Sequence, residues 1–169
     1  MDSKKEKNNL FLRFLIKNLR KFLIFLLFLA RKITLNKIPP IPVASVLIER
    51  KGKILGVIRS DGSGIGLPAG IINWNETPKQ AAKRETLQET GLNVEITELL
   101  GVYSNPKNGM NHLNILNIVY LGKNKNKRLK SSIEGKPKWF SFNQIFHQKI
   151  DFRDILEDYL HKKDYERKR

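Results

Sequence analysis

Four oxygen-bearing side chains in the middle of the 169-residue chain have the types and spacing for metal chemistry. Glu85, Gln88 and Glu89 stand at i, i+3 and i+4, so a helix puts all three on one face. Glu76 precedes them by a short interval, and Gly70 stands where a strand would lead toward that helix. A carboxylate cluster without matching cations repels itself unless something neutralises it. A hard divalent cation, held by carboxylates and substrate phosphates, does so. The chain has no cysteine, which excludes thiol catalysis, Cys-ligated zinc and iron–sulfur chemistry and fits a reducing compartment. His112, His147 and His161 are far apart, so no histidine metal site is expected. Mg²⁺ or Mn²⁺ on oxygen ligands is the chemistry these residues suit.

The elements that must position them follow from local pattern. Thr77–Thr90 reads as a helix, with Thr77 as N-cap, Pro78 in the first turn, Gln80 closing a capping box and Gly91 just past the end. Val43–Glu49 and Ile54–Arg59 read as a hairpin turning at Lys51-Gly52-Lys53. Asp61–Gly66 is a glycine-rich loop, and Leu67–Ile72 is short and extended, with Pro68 marking an edge or bulge. Val94–Ser104, Leu113–Leu121 and Lys138–Phe142 are further strand expectations. Ser141–His147 suits a helical turn, and Asp151–Lys163 an amphipathic helix with Asp151 as its cap. With 40% apolar and 28% charged residues the chain can bury one core, which excludes a disordered, collagen-like or disulfide-stapled molecule. Strands mixed with two or three helices give an α/β class with a mixed sheet.

Gly70, five residues, Glu76, seven residues, then Arg84-Glu85-Thr86-Leu87-Gln88-Glu89-Thr90-Gly91-Leu92 resembles the Nudix box, G-x5-E-x7-R-E-U-x-E-E-x-G-U with U a bulky aliphatic. The spacing fits over all 23 positions without a gap. The flanks agree: Leu67-Pro68-Ala69-Gly70 resembles the family's L/F-P-G-G approach, and Glu134-Gly135-Lys136-Pro137 before Trp139 resembles the acidic loop and Trp of MutT-like members. The resemblance implies an α/β/α sandwich over about residues 43–160 that hydrolyses a nucleoside diphosphate linked to another group, with Mg²⁺ or Mn²⁺. It implies Glu85 and Glu89 as metal ligands, Arg84 as the arginine orienting a catalytic glutamate, and Glu76 as the structural glutamate before the helix. It further implies Gly70 as a backbone carbonyl ligand and Glu134 as a further ligand or base. Glu134 and Glu85 both remain candidates for the base that takes a proton from water.

Three positions depart from the box. Gln88 stands where a metal-binding glutamate is usual; its carbonyl oxygen can still coordinate, but brings no charge and cannot be a base. Thr86 replaces a bulky aliphatic, and Ala69 a glycine. The expectation is therefore a Nudix-type pyrophosphohydrolase. The alternative is a catalytically weakened domain that binds a nucleotide as a sensor. For the substrate itself, Val102-Tyr103-Ser104-Asn105-Pro106 resembles a segment of several ADP-ribose hydrolases. Tyr103 could stack on a base or sit in the core, and Trp74 could lie at the site mouth or cover the sheet. His112 reads as a strand residue.

Lys plus Arg number 32 against 16 Asp plus Glu, a net charge of +16. The excess is peripheral. Residues 1–40 hold ten bases against Asp2 and Glu6, Lys123–Lys130 adds a basic loop, and the C-terminal tail adds more. Such a distribution suits an anionic surface, either lipid headgroups or nucleic acid, although no aromatic-interleaved RNA motif accompanies it. Leu10–Ala30 is amphipathic in its first half, with Arg13, Lys17, Arg20 and Lys21 on one flank, and apolar on every side from Phe22 to Ala30. Nine residues of helix rise about 14 Å, short of the roughly 30 Å of hydrocarbon. An interfacial anchor helix over residues 1–38 is the expectation. A single span, an uncleaved signal or a helix packed on protein are the alternatives. Pro39, Pro40 and Pro42 then form a stiff linker, and residues 39–169 are the catalytic domain, expected in the cytoplasm on the inner membrane face.

Overall fold

The computed structural model describes residues 18, 19, 21–23, 25, 26, 29, 30, 33, 39–104, 114–124 and 128–168. Arg13, Lys17, Arg20, His112, Lys125 and Lys127 lie outside them. From residue 41 on, the described residues form, in order, β1 (Ile41–Leu47), β2 (Glu49–Arg50), β3 (Lys53–Arg59), β4 (Ile65–Gly66), β5 (Ala69–Ile71), α1 (Pro78–Thr90), β6 (Val94–Ser104), β7 (Ile115–Asn124), β8 (Gly135–Ser141), α2 (Phe142–Phe146) and α3 (Arg153–Arg167). Among the described residues no helix is long and apolar enough to cross a membrane.

The chain divides into two compact units. The first is Met1–Ile41 with Ser104–Ile115. Its described residues between 18 and 33 are helical, and Leu19, Phe22, Leu23, Phe25, Leu26, Leu29 and Ile33 are all exposed. Within this unit the Ile41 N–H donates to the Asn114 carbonyl at 2.8 Å.

The second unit, Pro42–Tyr103 with Leu116–Arg169, carries the layers that hold the site. One sheet runs β5-β1-β7-β6, the other β2-β3-β4 with β8 on β3. Side chains alternate between two apolar layers, as strand geometry requires. Ala44, Val46, Ile48, Leu55 and Tyr120 pack with Ala81 and Ala82 of α1, while Leu47, Ile54 and Val119 pack with Ile145 of α2 and Ile155 and Leu156 of α3. The result is an α/β/α sandwich. The hairpin between β2 and β3 turns at Lys51 (φ 51) and Gly52 (φ 72), the two positive angles a type I′ turn needs.

Several boundaries differ from the sequence expectation. The end of the expected glycine-rich loop is strand β4 in one sheet, and the extended stretch 67–72 narrows to β5 in the other, with Leu67 and Pro68 between them. β8 starts at Gly135 rather than Lys138. It tolerates Pro137 because it pairs on one side only, with Pro137 opposite Val57. Asp151 does not cap α3. Its carboxylate accepts from Arg59 Nη2 at 2.8 Å, and Phe152 takes the N-cap position with no side-chain bond. Three contacts clamp α3 instead. Tyr159 and Lys163 both donate to Glu49 Oε2, at 2.6 and 2.5 Å, and Lys162 pairs with Glu98. Burial pushes the Glu49 carboxyl up, and the bonds from Lys163 and Tyr159 outweigh it, holding the carboxyl below its ordinary range.

Candidate functional site

Helix α1 begins as its sequence dictates. Thr77 Oγ1 accepts from the Gln80 N–H, Gln80 Oε1 accepts from the Thr77 N–H at 2.7 Å, and Gly91 closes the other end in the left-handed region at φ 73. Thr86, where the box has an aliphatic, is fully buried, and its hydroxyl donates to the Ala82 carbonyl at 2.7 Å, so the polar atom is satisfied within the helix. Ala69, in place of glycine, does not require a positive φ.

Arg84 is the hub of the site. Its Nε and Nη2 grip both oxygens of Glu76, at 3.0 and 2.5 Å. Nη1 donates to Glu85 Oε1 at 2.5 Å and to Gln88 Oε1 at 3.1 Å, and Nη2 also reaches the Ile71 carbonyl at 3.0 Å. Arg84 thereby fixes β5, the loop before α1 and the helix itself in one geometry. The forked guanidinium suits this task, where a lysine would offer only a point charge. The Arg84 bond and the Asn73 N–H hold the Glu76 carboxyl down, to about 2. Arg84 is in turn held charged, first by its bond to Glu76.

Gly70 is where β5 meets α1. A Cβ there would lie 2.0 Å from Glu85 Oε1, so the Glu85 carboxylate rests directly on the Gly70 backbone. One helical turn further on, Glu89 is only 8% exposed and accepts from the Ala69 N–H at 3.2 Å. Burial, reinforced by the hydrogen bond and charge of neighbouring Glu134, pushes its carboxyl up to about 8. Arg59 pulls in the other direction. Its guanidinium lies across Gly66, where a Cβ would sit 2.5 Å from Nη2, and turns back to Asp151. Sequence reasoning missed Arg59, because its role depends on a partner 92 residues away.

Glu134 itself is exposed, on a pinned loop. The Ser60 N–H donates to its carbonyl at 2.8 Å, and Ser132 Oγ accepts from its N–H at 3.2 Å. The fold thus brings Gly70, Glu76, Arg84, Glu85, Gln88, Glu89 and Glu134 together. Trp74 stands fully exposed in the loop before α1, beside this group. Tyr103 is elsewhere. It packs on the α3 layer and donates to Asp158 Oδ2 at 3.0 Å, so it belongs with the core, and burial raises its hydroxyl pKa.

Among the described residues no three His, Cys, Asp or Glu converge as a closed ligand set. The oxygens present stand in pairs rather than as one set: Glu85 against Gly70, Glu89 against Glu134, and Gln88 Oε1 on Arg84. Burial, with the bond and charge of Glu134, pushes the Glu89 carboxyl up. This chemistry fits a hard divalent cation, whose charge would favour the ionised form of Glu89.

The NUDIX domain family model matches residues 39–162. A MutT-like protein of Streptomyces ambofaciens is 39% identical over 70 residues, which is 41% of this chain and 46% of that protein, so the chain spans about half of that relative. An ADP-ribose pyrophosphatase of Methanocaldococcus jannaschii is 32% identical over 119 residues, 68% of this chain and 69% of that one. Among solved structures, a NUDIX hydrolase from Nitrosomonas europaea has a TM-score of 0.66 at 29% identity, covering 76% of this chain and 74% of that one. The matched stretch encloses both sheets, the Gly70–Glu85 contact and the Arg84 hub, and the chain belongs to the Nudix family.

Proposed function

We propose that this protein hydrolyses a pyrophosphate bond in a nucleoside diphosphate linked to another group, with Mg²⁺ or Mn²⁺, at a membrane surface. The observation that carries the reading is the Arg84 hub, which ties Glu76, Glu85 and Gln88 together beside the Glu89–Glu134 pair. Glu85, Glu89, Gln88 and the Gly70 carbonyl would hold the cation. When bound, it supplies Lewis-acid activation of water and offsets charge on the phosphates. Arg84 keeps Glu85 in place on Gly70. Glu134 is the better placed base, because Glu85 Oε1 is committed to Arg84 while Glu134 is exposed on a loop fixed at Ser60 and Ser132. Trp74, exposed before α1, offers a face on which a nucleobase can stack.

The test is nucleotide or phosphate release with Mg²⁺, Mn²⁺ or EDTA. The panel is ADP-ribose, NADH, UDP-glucose, diadenosine polyphosphate, nucleoside triphosphates and 5′-triphosphorylated RNA. Metal-dependent release from one of them supports the hydrolase and names its substrate class. Silence across the panel with saturable nucleotide binding supports a sensor instead. Because Gln88 accepts from Arg84 and brings no charge, Gln88→Glu is expected to lower the metal concentration for half-maximal rate by about threefold or more, since ligand charge tunes metal affinity. An unchanged metal dependence would remove residue 88 from the metal shell.

The membrane reading rests on the helical residues between 18 and 33, whose Leu19, Phe22, Leu23, Phe25, Leu26, Leu29 and Ile33 are exposed next to Lys21. The basic excess of the first 40 residues suits the anionic inner leaflet. The full chain is expected to float with vesicles containing anionic lipid, and the Phe22→Glu, Leu26→Glu double variant to remain at the bottom. Equal flotation of the two would sink the anchor.

A further inference from the structure

The sheet face turned toward α2 and α3 is apolar along most of its length, and then changes character. Leu47 of β1 and Val119 of β7 are both sealed in that core. Two residues back along each strand, on the same face, stand Ser45 and Asn117. Ser45 is fully buried, and its hydroxyl donates to Asn117 Oδ1 at 2.9 Å. Ser45 also pairs in register with Ala69 of β5, whose N–H holds Glu89. A row of short side chains, Ala69, Ser45 and Asn117, therefore crosses three strands from the carboxylate site.

The carboxamide in that row is oriented. Its oxygen accepts from Ser45, which leaves the Nδ2 donors outside that bond. Asn117 is half-buried where Ser45 is sealed, so the row comes to the surface at Asn117. A polar pair on an otherwise apolar sheet face costs stability unless its atoms are satisfied, and the Ser45 bond satisfies the carboxamide oxygen alone. Strands lie about 4.8 Å apart, so Asn117 stands roughly 10 Å across the sheet from Ala69. That separation is of the order of a nucleoside's reach from phosphate to base.

We propose that Asn117, fixed by Ser45, reads the nucleobase of the substrate, donating Nδ2–H to a carbonyl oxygen or ring nitrogen on the base. This rests on the hydrolase reading above and adds to it a residue that sets base selectivity. Asn117→Asp keeps the shape and the Ser45 bond but turns the Nδ2 donor into an acceptor.

The test measures kcat/KM, and Kd by titration, for ADP-, GDP-, UDP- and CDP-linked sugars with full-length wild type, Asn117→Asp, Asn117→Ala and Ser45→Ala. Asn117→Asp is expected to shift the ratio of amino bases (adenine, cytosine) to keto bases (guanine, uracil) by about tenfold toward the amino bases. Asn117→Ala should flatten the wild-type preference, and Ser45→Ala should flatten it less, by freeing the amide to rotate. A packing role would lower all four substrates by one factor and leave the ratios alone, and that result overturns the proposal. Binding without turnover in the wild type would remove the hydrolase reading alone, because the Kd ratios still decide the role of Asn117. Binding of none of the four nucleotides would overturn both.

Discussion

Glu89→Gln is expected to cut hydrolysis by about a hundredfold or more, while leaving the metal-free protein no less stable at alkaline pH. The loss of rate follows from removing a ligand charge next to Glu134. The retained fold follows from geometry, because Gln Oε1 can still accept from the Ala69 N–H that Glu89 Oε2 now satisfies. The effect on stability comes from burial. The Glu89 carboxyl is raised from its ordinary 4.5 to about 8, so the folded chain binds its proton more tightly than the unfolded chain. Stability from this group is complete below about 4.5 and is lost as pH rises through about 8, the opposite of an ordinary salt-bridged glutamate. Urea midpoints with EDTA, taken from about pH 5 to about pH 9, should fall for wild type and stay level for the variant. Mg²⁺ or Mn²⁺ at the alkaline end should restore the wild type by binding the folded state, and help the variant less. A level wild-type profile would mean that Glu89 is ionised without a cation.

That carboxyl also shows what the chain's local pattern conveys and what it does not. The whole of α1 was legible, since Thr77, Pro78, Gln80 and Gly91, which start and stop it, all lie within about fifteen residues. Gly70 was legible as a position, but its reason was not: the closeness of Glu85 to its backbone depends on how β5 docks against α1. The same holds for Glu89, whose burial is set by strands far away in sequence. Asp151 shows the failure from the other side. By local rules it is a helix cap, yet an ion pair with Arg59, 92 residues away, takes its carboxylate. Tyr103 is read from sequence as either a stacking residue or core, and only the position of α3, with Asp158, decides between them. The Ser45–Asn117 bond, 72 residues apart, leaves no sequence signal at all. Patterns of period 2 and 3.6 fix which face a residue is on, and the pairing of distant strands fixes what it meets there.

Gly70→Ala should be nearly as damaging to catalysis as losing a ligand, although it adds one methyl group and touches no charge. Gly70 does not have a positive φ, so the backbone would accept alanine. The obstacle is space: the new Cβ would stand 2.0 Å from Glu85 Oε1 and 2.1 Å from its Cδ. β5 cannot retreat, because Gly70 pairs in register with Ala44, which is fully buried against α1. Glu85 must therefore swing off its seat and break its bond to Arg84 Nη1. Because the clash is with the far end of a flexible side chain, the cost falls on the position of Glu85 more than on stability. The rate should fall about a hundredfold, since the displaced carboxylate is a ligand whose position the reaction needs. Gly52→Ala is the matched control. Nothing lies within 4 Å of its Cβ, but its φ is +72, so it should cost about 1 kcal/mol from backbone strain and leave the rate unchanged. The mechanism is separable from general damage by a double-mutant cycle. In a Glu85→Ala background the clash is gone, and adding Gly70→Ala should cost almost no further activity. If the two losses multiply instead, Gly70 acts on the site by a route other than the seat it gives Glu85, and the strand rather than the side chain becomes the element to explain.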